Sequence, residues 1–319
     1  MSVMPRPERQ LIQRVRSAAQ DQAKRLRTVV TGIGDDCAVL RPPTGQELLV
    51  TTDFSLEGVH FRREWHPPES VGHRCLTRGL SDIAAMGGTP IAVFLSLALP
   101  ADLPQNWVDR LYGGLLGLAK EHGAALAGGD TAQSPAGVLA DIMVIGSVSR
   151  GRPVLRSTAK PGDRIYVTGA LGLGGATVQR MYAGGKIRPA SAKDYFYPQP
   201  RLKVGQKLHG LASAMIDISD GLSTDLSHIC EESGVGALIY QSAIPVAHGA
   251  RIEDALFGGD DYELLFTSEK RIAGEIAGVP ISEIGEVVER SGMWIQDERG
   301  RTSRLKSRGW EHFSKTSRR

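Results

Sequence analysis

The sequence has no apolar run long enough to cross a membrane. Its longest run, residues 91–99, is interrupted by Ser96 and has about half the length of a membrane helix. The first residues include charged side chains such as Arg6 and Glu8, and they lack the apolar stretch of a secretory signal. We therefore expect a cytoplasmic protein that does not bind membranes.

Cysteine and net charge are also scarce. Cys37, Cys75 and Cys230 are odd in number and widely spaced, which argues against a disulfide framework and against a zinc site, so we expect buried thiols. The 38 Lys and Arg residues against 35 Asp and Glu residues give a net charge of +3. This charge is too small to favour nucleic acid as a partner.

Common catalytic motifs are missing. The pattern G-x-x-x-x-G-K-[ST] fails because Arg180 stands where Gly184-Gly185-Lys186 would need an earlier glycine. There is no kinase-type H-R-D and no G-x-S-x-G, and no histidine has an evident Ser or Cys partner. A nucleotide would not be held by a P-loop, and nucleophilic catalysis by Ser or Cys is poorly supported.

A glycine-rich turn at residues 167–175 follows a predicted strand and suggests a dinucleotide fold. Its spacing does not fit, because the two known glycine patterns would need glycine at Thr177 or at Leu173. Tyr182 and Lys186 have the spacing of a dehydrogenase catalytic pair, but they follow the turn too closely to reach a substrate. An oxidoreductase is therefore disfavoured.

The length of 319 residues suggests two domains at about 150 residues each. The stretch 149–161 contains Arg, Gly and Pro without hydrophobic periodicity, so we place the boundary there, with domains at 1–150 and 151–319. Strands and helices alternate in both halves, which predicts an α/β or α+β fold.

Hydrophobic periodicity defines the expected elements. The predicted helices are 7–19, 69–86, 104–122, 174–182, 201–211 and 221–232. The predicted strands are 48–53, 91–99, one running into 128–131, 138–148, 164–168, 214–218, 237–240, 262–267, 281–288 and 293–296.

Aspartates recur at predicted strand ends and in small-residue turns. Five segments share this arrangement: Asp35-Asp36, Thr51-Thr52-Asp53, Leu80-Ser81-Asp82, Gly129-Asp130-Thr131 and Asp217-Ile218-Ser219-Asp220-Gly221. Any one of them has a simple structural explanation, because Asp is common in turns and at helix N-caps. Asp220, directly before a predicted helix, fits an N-cap well.

The five segments together favour a cation site. None has a Lys or Arg beside it in the sequence, and converging carboxylates repel one another unless a cation lies among them. Hard oxygen ligands, with the hydroxyls of Thr51 and Thr52 nearby, suit Mg²⁺, which also bridges to phosphate oxygens. Each Mg²⁺ takes one or two carboxylates, so the pattern predicts several ions and a phosphoryl-transfer reaction.

Taken in order, these motifs resemble the thiamine-monophosphate kinase family, within the superfamily of aminoimidazole-ribonucleotide synthetase. The resemblance rests on GIGDDCA at 32–38, TTD at 51–53, EGVHF at 57–61, LSDIAAMG at 80–87, GGDT at 128–131, AKPGD at 159–163, DISDGL at 217–222, GGDDYEL at 258–264 and GWEHF at 309–313.

The resemblance implies a two-domain PurM-like fold of the α/β (α+β) class and a homodimer. The N-terminal domain, 1–150, would be a mixed-sheet domain for Mg²⁺ and ATP binding and for dimerisation. The C-terminal α/β domain, 151–319, would bind substrate and nucleotide. The implied reaction is phosphorylation of thiamine monophosphate to thiamine diphosphate, with ATP as co-substrate and several Mg²⁺ ions.

Site residues follow from the same resemblance, position by position. The implied metal ligands are Asp36, Thr51, Thr52, Asp53, Asp82, Asp130, Asp217 and Asp220. The implied ATP contacts are Gly129, Asp130, Arg156 and Ser219, and the implied substrate contacts are His60, Asp260 and Trp310. No residue is implied as a general base.

Two positions depart from the family pattern. Asp260 stands where the family usually has Glu, and Gly79 stands where Asn commonly precedes Leu-Ser-Asp. Asp260 keeps the negative charge of the family Glu, but its side chain is shorter by one methylene group. We expect neither change to alter the reaction class.

Phosphate chemistry explains why no base is needed. A phosphate monoester, with a second pKa of about 6, is already an anionic nucleophile at neutral pH. The protein has to bring two polyanions together and neutralise them, to which Arg156 can add a fixed positive group. Considered alone, Arg156 would be a surface residue, and His60 would be a structural one.

Two alternatives remain open. Another PurM-like phosphotransferase or synthetase is one, although a selenophosphate synthetase would need a reactive Cys before Cys37, and hydrogenase-maturation relatives need a C-terminal Cys where this chain has Ser317-Arg318-Arg319. The other is a non-catalytic thiamine-phosphate binding protein, which would bind both ligands without turnover.

Overall fold

The computed structural model describes residues 8–25, 28–33 and 37–310 of the chain. Its helices are α1 (Glu8–Arg25), α2 (Pro68–Ala85), α3 (Gln105–Glu121), α4 (Leu173–Tyr182), α5 (Lys193–Phe196), α6 (Leu202–Leu208), α7 (Leu222–Ser233) and α8 (Ile252–Phe257). Its strands are β1 (Val29–Thr31), β2 (Val39–Leu40), β3 (Gln46–Leu56), β4 (Thr89–Pro100), β5 (Ala125–Ser134), β6 (Leu139–Ser149), β7 (Arg164–Thr168), β8 (Ala214–Ile218), β9 (Gly236–Tyr240), β10 (Glu263–Ser268), β11 (Glu275–Ile276), β12 (Val279–Val288), β13 (Gly292–Gln296) and β14 (Thr302–Arg304).

The described residues divide into two units. The first unit contains the described residues up to Ile83, residues 88–151 and the short segment Phe196–Pro198. The second unit contains Ala84–Gly87, Arg152–Tyr195 and the described residues from Gln199 onward. The roles assigned from the sequence to the two halves of the chain stay predictions.

The first unit is built on a four-stranded sheet in the order β3-β6-β4-β5. Strands β4 and β5 run parallel, whereas β6 is antiparallel to both of its neighbours. Leu76, Leu80 and Ile83 of α2 are at most 1% exposed. Burying each of them contributes about 1.5–3 kcal/mol, which fixes α2 against one face of this sheet.

Gly79 explains how closely α2 approaches the sheet. A Cβ atom at this position would lie 2.5 Å from Cγ2 of Val144 on β6. An Asn side chain, as in the family pattern, would clash with that strand unless the helix moved. The substitution therefore follows from local packing.

The opposite face of this sheet is exposed along β3 and β6, whereas β1 and β2 cover Ala92 and Ala125 on β4 and β5. Side chains alternate along a strand, so Leu48, Val50, Thr52 and Phe54 of β3 all lie on the face away from α2. The apolar members of this set are exposed, as is Met143, the register partner of Thr52 on β6.

The second unit is built on an eight-stranded sheet. Seven strands follow the order β14-β13-β9-β12-β7-β10-β8, and β11 pairs with β12. Neighbouring strands are antiparallel except β9 and β13, which are parallel. Helix α7 buries Leu222, Leu226 and Ile229 in the core that β7, β8, β9 and β10 share. The last residue of β8, Ile218, leads directly into the acidic turn discussed below.

Each predicted helix and strand overlaps an observed element of the same kind. The sequence did not predict β1, β2, β11, β14, α5 or α8. The expectation of buried thiols is confirmed for Cys75 and Cys230 but is wrong for Cys37, which is exposed. None of the described helices has both the length and the apolarity needed to span a membrane.

Candidate active site

Thr51, Asp53 and Asp82 form the acidic group of the first unit. Thr51 and Asp53 are two residues apart on β3 and so share the face toward α2. The hydroxyl of Thr51 donates a hydrogen bond to Oδ2 of Asp82 at 2.5 Å. Arg78, one helical turn before Asp82, lies 3.6 Å from Oδ1 of Asp53. The structure thus brings three of the predicted metal ligands together and adds a cation that the sequence did not associate with them.

Thr52 and Asp130 lie on the other face of the sheet. The Thr52 side chain is exposed and points away from α2. Asp130 on β5 is paired in register with Ser96, which is paired in turn with Asp141 on β6. Because residues in register share a face, Asp130 and Asp141 belong to the face away from α2. Asp141 is the one charged residue of β6, and it was not among the predicted site residues.

Within one sheet Asp53 and Asp130 are far apart. Their strands β3 and β5 are the two edges of the sheet, separated by three strand spacings, or about 14 Å. Among the described residues, no three His, Cys, Asp or Glu side chains are close enough together to form a metal site by themselves. Asp36 lies outside the described residues.

Gly129, a predicted ATP contact, shows why the Gly-Gly-Asp sequence is needed. Its φ of +147° lies in the region that favours glycine. A Cβ atom here would stand 2.0 Å from the carbonyl oxygen of Leu95 on β4. Gly129 therefore permits β4 and β5 to approach each other next to Asp130.

His60 follows β3 in a tight turn and is half-buried. Its Nδ1 accepts a hydrogen bond from the backbone N–H of Leu56 at 3.0 Å. This bond places the proton of the neutral ring on Nε2 and fixes the orientation of the imidazole.

The acidic group of the second unit lies where β8 ends. Asp217 is 4% exposed, and Asp225 on the first turn of α7 is 2% exposed. Oδ2 of Asp225 accepts backbone N–H bonds from Ser219, Asp220 and Gly221, at 3.1, 3.2 and 3.0 Å. Burial, together with the charges of Asp217 and Asp220, raises the pKa of Asp225 to about 8. This short segment therefore contains four oxygen-bearing side chains, and the raised pKa shows that a negative charge on Asp225 is unfavourable there. The four are Asp217, Ser219, Asp220 and Asp225.

Asp225 also corrects the expectation for Asp220. The N-cap of α7 is Gly221, and no side chain caps it, so Asp220 is not the N-cap. The carboxylate of Asp225, from within the helix, instead binds the amide of the N-cap residue Gly221 and the amides of the two residues before it. In the sequence Asp225 is an ordinary polar residue of an amphipathic helix. The only sequence feature that could have indicated its contact with the turn is its position four residues after Gly221.

Asp260 and Trp310, the two predicted substrate contacts of this unit, are hydrogen-bonded to the same turn. The N–H of Asp260 donates to the carbonyl oxygen of Ser219 at 2.8 Å, and the N–H of Trp310 donates to that of Asp220 at 3.0 Å. The Asp260 carboxylate accepts the hydroxyl of Tyr262 at 2.7 Å. The Trp310 side chain is exposed.

The glycine-rich turn at 167–175 has a structural role. Asp261 accepts the N–H of Gly172 at 2.7 Å and the N–H of Gly174 at 3.3 Å, at the start of α4. A carboxylate of the chain itself therefore occupies the position where a dinucleotide phosphate would bind. Burial raises the pKa of Asp261 to about 8, against the opposing effect of both amides.

Arg156 is exposed in a turn of the second unit. Its carbonyl oxygen accepts a hydrogen bond from the hydroxyl of Ser233 at 2.8 Å, which anchors the turn to the end of α7. The structure thus holds its backbone in place and leaves its side chain accessible.

Comparison with known proteins defines the class. Residues 34–148 match the family model described as AIR synthase related protein, N-terminal domain, and residues 160–297 match the corresponding C-terminal domain. Together the two models cover most of the chain and confirm the two-domain PurM-like fold.

Individual relatives narrow this class. The thiamine-monophosphate kinase of Escherichia coli K12 is 37% identical over 324 residues, covering 94% of this chain and 95% of the relative. A crystal structure of thiamine-monophosphate kinase from Stenotrophomonas maltophilia K279a has 32% identity and a TM-score of 0.78, covering 89% of this chain and 95% of that chain. A structure described as AaThiL complexed with AMPPCP and TMP has 31% identity and a TM-score of 0.77, covering 95% and 96%. The chain belongs to the thiamine-monophosphate kinase family.

Proposed function

We propose that this protein transfers the terminal phosphoryl group of ATP to thiamine monophosphate, giving ADP and thiamine diphosphate. The bond between the β- and γ-phosphates of ATP breaks, and a new P–O bond forms to a phosphate oxygen of the acceptor, in line with the leaving group. Family membership supports this proposal, as does a relative complexed with AMPPCP, an ATP analogue, and TMP.

The arrangement of carboxylates at 217–225 is the observation that supports it best. Burial, together with the charges of Asp217 and Asp220, raises the pKa of Asp225, so a cation bound at this turn would relieve part of an existing electrostatic penalty. The donors Asp217, Asp220, Thr51, Asp53 and Asp82 are all hard oxygen ligands, which Mg²⁺ prefers. We propose that both acidic groups bind Mg²⁺, which would neutralise the phosphate oxygens of the two substrates.

The substrate contacts fit the chemistry of thiamine monophosphate. Its thiazolium ring is a cation, which the Asp260 carboxylate would attract and the exposed indole of Trp310 would stack against. Ser219, Gly129 and Arg156 would contact ATP, with Arg156 contributing a positive charge to its phosphates. His60 and Asp130 would complete the substrate and metal contacts, and Thr52 and Asp36 would add oxygen ligands.

A product assay tests the reaction directly. The protein, ATP, Mg²⁺ and thiamine monophosphate should yield ADP and thiamine diphosphate in equal amounts. Binding of both ligands without turnover would identify a non-catalytic binding protein instead, and turnover with a different acceptor would identify another phosphotransferase of the superfamily.

Asp53→Asn tests the metal ligands. Activity should fall by about 100-fold or more, while the free energy of unfolding without metal changes by no more than about 1 kcal/mol, because the pair with Arg78 is partly exposed. The matched control is Asp109→Asn, which removes a carboxylate paired with Arg14 at 2.6 Å in the same unit. Equal activity of the two variants would exclude Asp53 from the site.

We also infer a homodimer through the exposed apolar residues of β3 and β6 on the face of the first sheet away from α2. Val50 is 61% exposed, Phe54 52%, Leu48 47% and Met143 37%. An apolar patch of this kind marks an interaction surface, and a second copy of the chain is the partner that the family suggests. Val50→Asp should produce a monomer in sedimentation analysis, whereas Leu155→Asp, at an exposed apolar residue of the second unit, should not.

The cytoplasmic location stays a prediction.

A further inference from the structure

We propose that Asp225 is a positioning residue for phosphoryl transfer, which rests on the function proposed above. Its Oδ2 accepts the N–H groups of Ser219, Asp220 and Gly221, so one buried carboxylate holds three consecutive amides. Asp225 itself would touch neither substrate. It acts through the backbone of the turn.

Peptide planarity transmits this effect to other site residues. The N–H of Asp220 and the carbonyl group of Ser219 belong to one peptide unit, and in a trans peptide they point in opposite directions. Asp225 holds the N–H side, and the carbonyl side accepts the N–H of Asp260 at 2.8 Å. When Asp225 fixes the N–H of Asp220, it therefore also fixes the orientation of the Ser219 carbonyl group, which holds the backbone of Asp260.

The next peptide unit repeats the arrangement. Asp225 holds the N–H of Gly221, and the carbonyl group of Asp220 in the same unit accepts the N–H of Trp310 at 3.0 Å. The two predicted substrate contacts are thus attached to the two peptide units that Asp225 orients. Ser219 and Asp220, the predicted nucleotide and metal contacts, are the residues of the turn itself.

Neighbouring contacts leave little freedom for this segment. The N–H of Gly309 donates to Oγ1 of Thr224 at 2.9 Å. A Cβ atom at Gly309 would lie 2.2 Å from the carbonyl oxygen of Asp220. The segment before Trp310 therefore packs directly on the turn, and a rotation of the peptide at Asp220 would displace it.

The alternative is that Asp225 only stabilises the start of α7. Asp163 provides the matched control, because it is a buried carboxylate of the same unit, 3% exposed, that also binds a turn amide. It accepts the N–H of Lys160 at 2.9 Å and the hydroxyl of Ser213 at 2.5 Å. Ser213 precedes β8, whereas the acidic turn follows it, so Asp163 lies at the opposite end of the strand.

The experiment compares Asp225→Asn, Asp225→Ala and Asp163→Asn in the full chain. For Asp225→Asn we expect kcat/KM to fall by about 10–100-fold and the Mg²⁺ concentration for half-maximal activity to rise, since groups that orient metal ligands have effects of this size. Asp225→Ala, which removes all three bonds, should lose more. For Asp163→Asn we expect kcat/KM and the Mg²⁺ concentration for half-maximal activity to stay within about twofold of the unaltered protein, although its melting temperature should fall about as much as that of Asp225→Asn. Amide hydrogen exchange should accelerate at 219–221 and at Trp310 only in the Asp225 variants.

Two results would overturn the proposal. One is a folded Asp225→Asn variant with unchanged kinetics and metal dependence, and the other is an equal loss of activity in Asp163→Asn. If the unaltered protein makes no thiamine diphosphate, the proposed function fails separately, and binding of AMPPCP with Mg²⁺ becomes the measurement. Binding that is at least about tenfold weaker in Asp225→Asn than in Asp163→Asn would then support positioning, and equal binding would refute it.

Discussion

The hydroxyl of Tyr262 donates a hydrogen bond to Oδ1 of Asp260 at 2.7 Å, and both residues have positive φ, +52° and +66°. A left-handed conformation costs a residue other than glycine about 1–3 kcal/mol. Backbone bonds from Asp260 to Ser219 and from Tyr262 to Ile218, both at 2.8 Å, compensate for this cost. The carboxylate that replaces the family Glu is therefore held by its own neighbour, two residues along the chain.

Tyr262→Phe should raise the KM for thiamine monophosphate about 3–10-fold and leave the KM for ATP nearly unchanged. The substitution removes the hydroxyl that orients the Asp260 carboxylate but keeps the buried ring. The lost hydrogen bond should cost about 0.5–1.5 kcal/mol of stability. Steady-state kinetics with each substrate varied in turn provide the measurement.

Tyr166→Phe is the control for this variant. Tyr166 is also buried in the second unit; its hydroxyl donates to Glu283 at 3.2 Å and accepts the N–H of Ile272 at 3.3 Å, and neither partner belongs to the acidic turn. Its KM values should match those of the unaltered protein. An equal rise in both variants would show that Tyr262 acts through stability alone.

Gly129→Ala should strongly reduce both activity and melting temperature. The added methyl group would lie 2.0 Å from the carbonyl oxygen of Leu95, and the backbone would have to leave its φ of +147°. Both effects would displace Asp130. Kinetics and thermal unfolding of the purified variant provide the measurement.

Gly113→Ala tests the same chemical change where space is available. Gly113 lies within α3, and a Cβ atom there has no neighbour within 4 Å. The replacement should stabilise the protein by about 0.5–1 kcal/mol because alanine favours helix. If both variants lost stability alike, close approach at Gly129 would not be the cause.

The sequence predicted elements better than it predicted contacts. Strands such as β4 and β8 are nearly continuous apolar runs, and α2 has a clear helical period, so their positions follow from burial alone. Strand periodicity also implies that Thr51 and Thr52 lie on opposite faces of the sheet, so the two side chains would not bind the same metal ion. Contacts between distant residues leave no such signal. The bond from Trp310 to Asp220 spans 90 positions, and Asp225 differs from a surface aspartate only once the chain has folded.

Asp261 should make the stability of the protein decrease as pH rises from about 4 to 8. Its pKa is raised to about 8 in the folded protein, against an ordinary value of 3.8 for an aspartate side chain. Between these values the unfolded chain has released a proton that the folded protein retains, so unfolding becomes easier with rising pH. The slope from this group is at most about 1.4 kcal/mol per pH unit, and it vanishes above the folded pKa.

Asp261→Asn should reduce this slope, as measured by urea unfolding at pH 5, 6, 7 and 8 without metal. Asp297→Asn is the control, because hydrogen bonds from the backbone and side chain of Arg301 lower the pKa of Asp297. Asp297 therefore titrates below the measured range. A slope that is the same in Asp261→Asn as in the unaltered protein would rule out Asp261 as its source.

The three cysteines should differ sharply in reactivity. Burial raises the pKa of Cys75 to about 12, and burial together with Glu231 raises that of Cys230 to about 12, so neither forms much thiolate at pH 8. Cys230 lines a cavity of about 570 Å³, but it is only 6% exposed. Ellman's reagent should modify one thiol rapidly, the exposed Cys37, and all three after unfolding. Cys37→Ser should abolish the rapid phase. Rapid modification that persists in this variant would show that burial does not suppress the thiolate of Cys75 or Cys230.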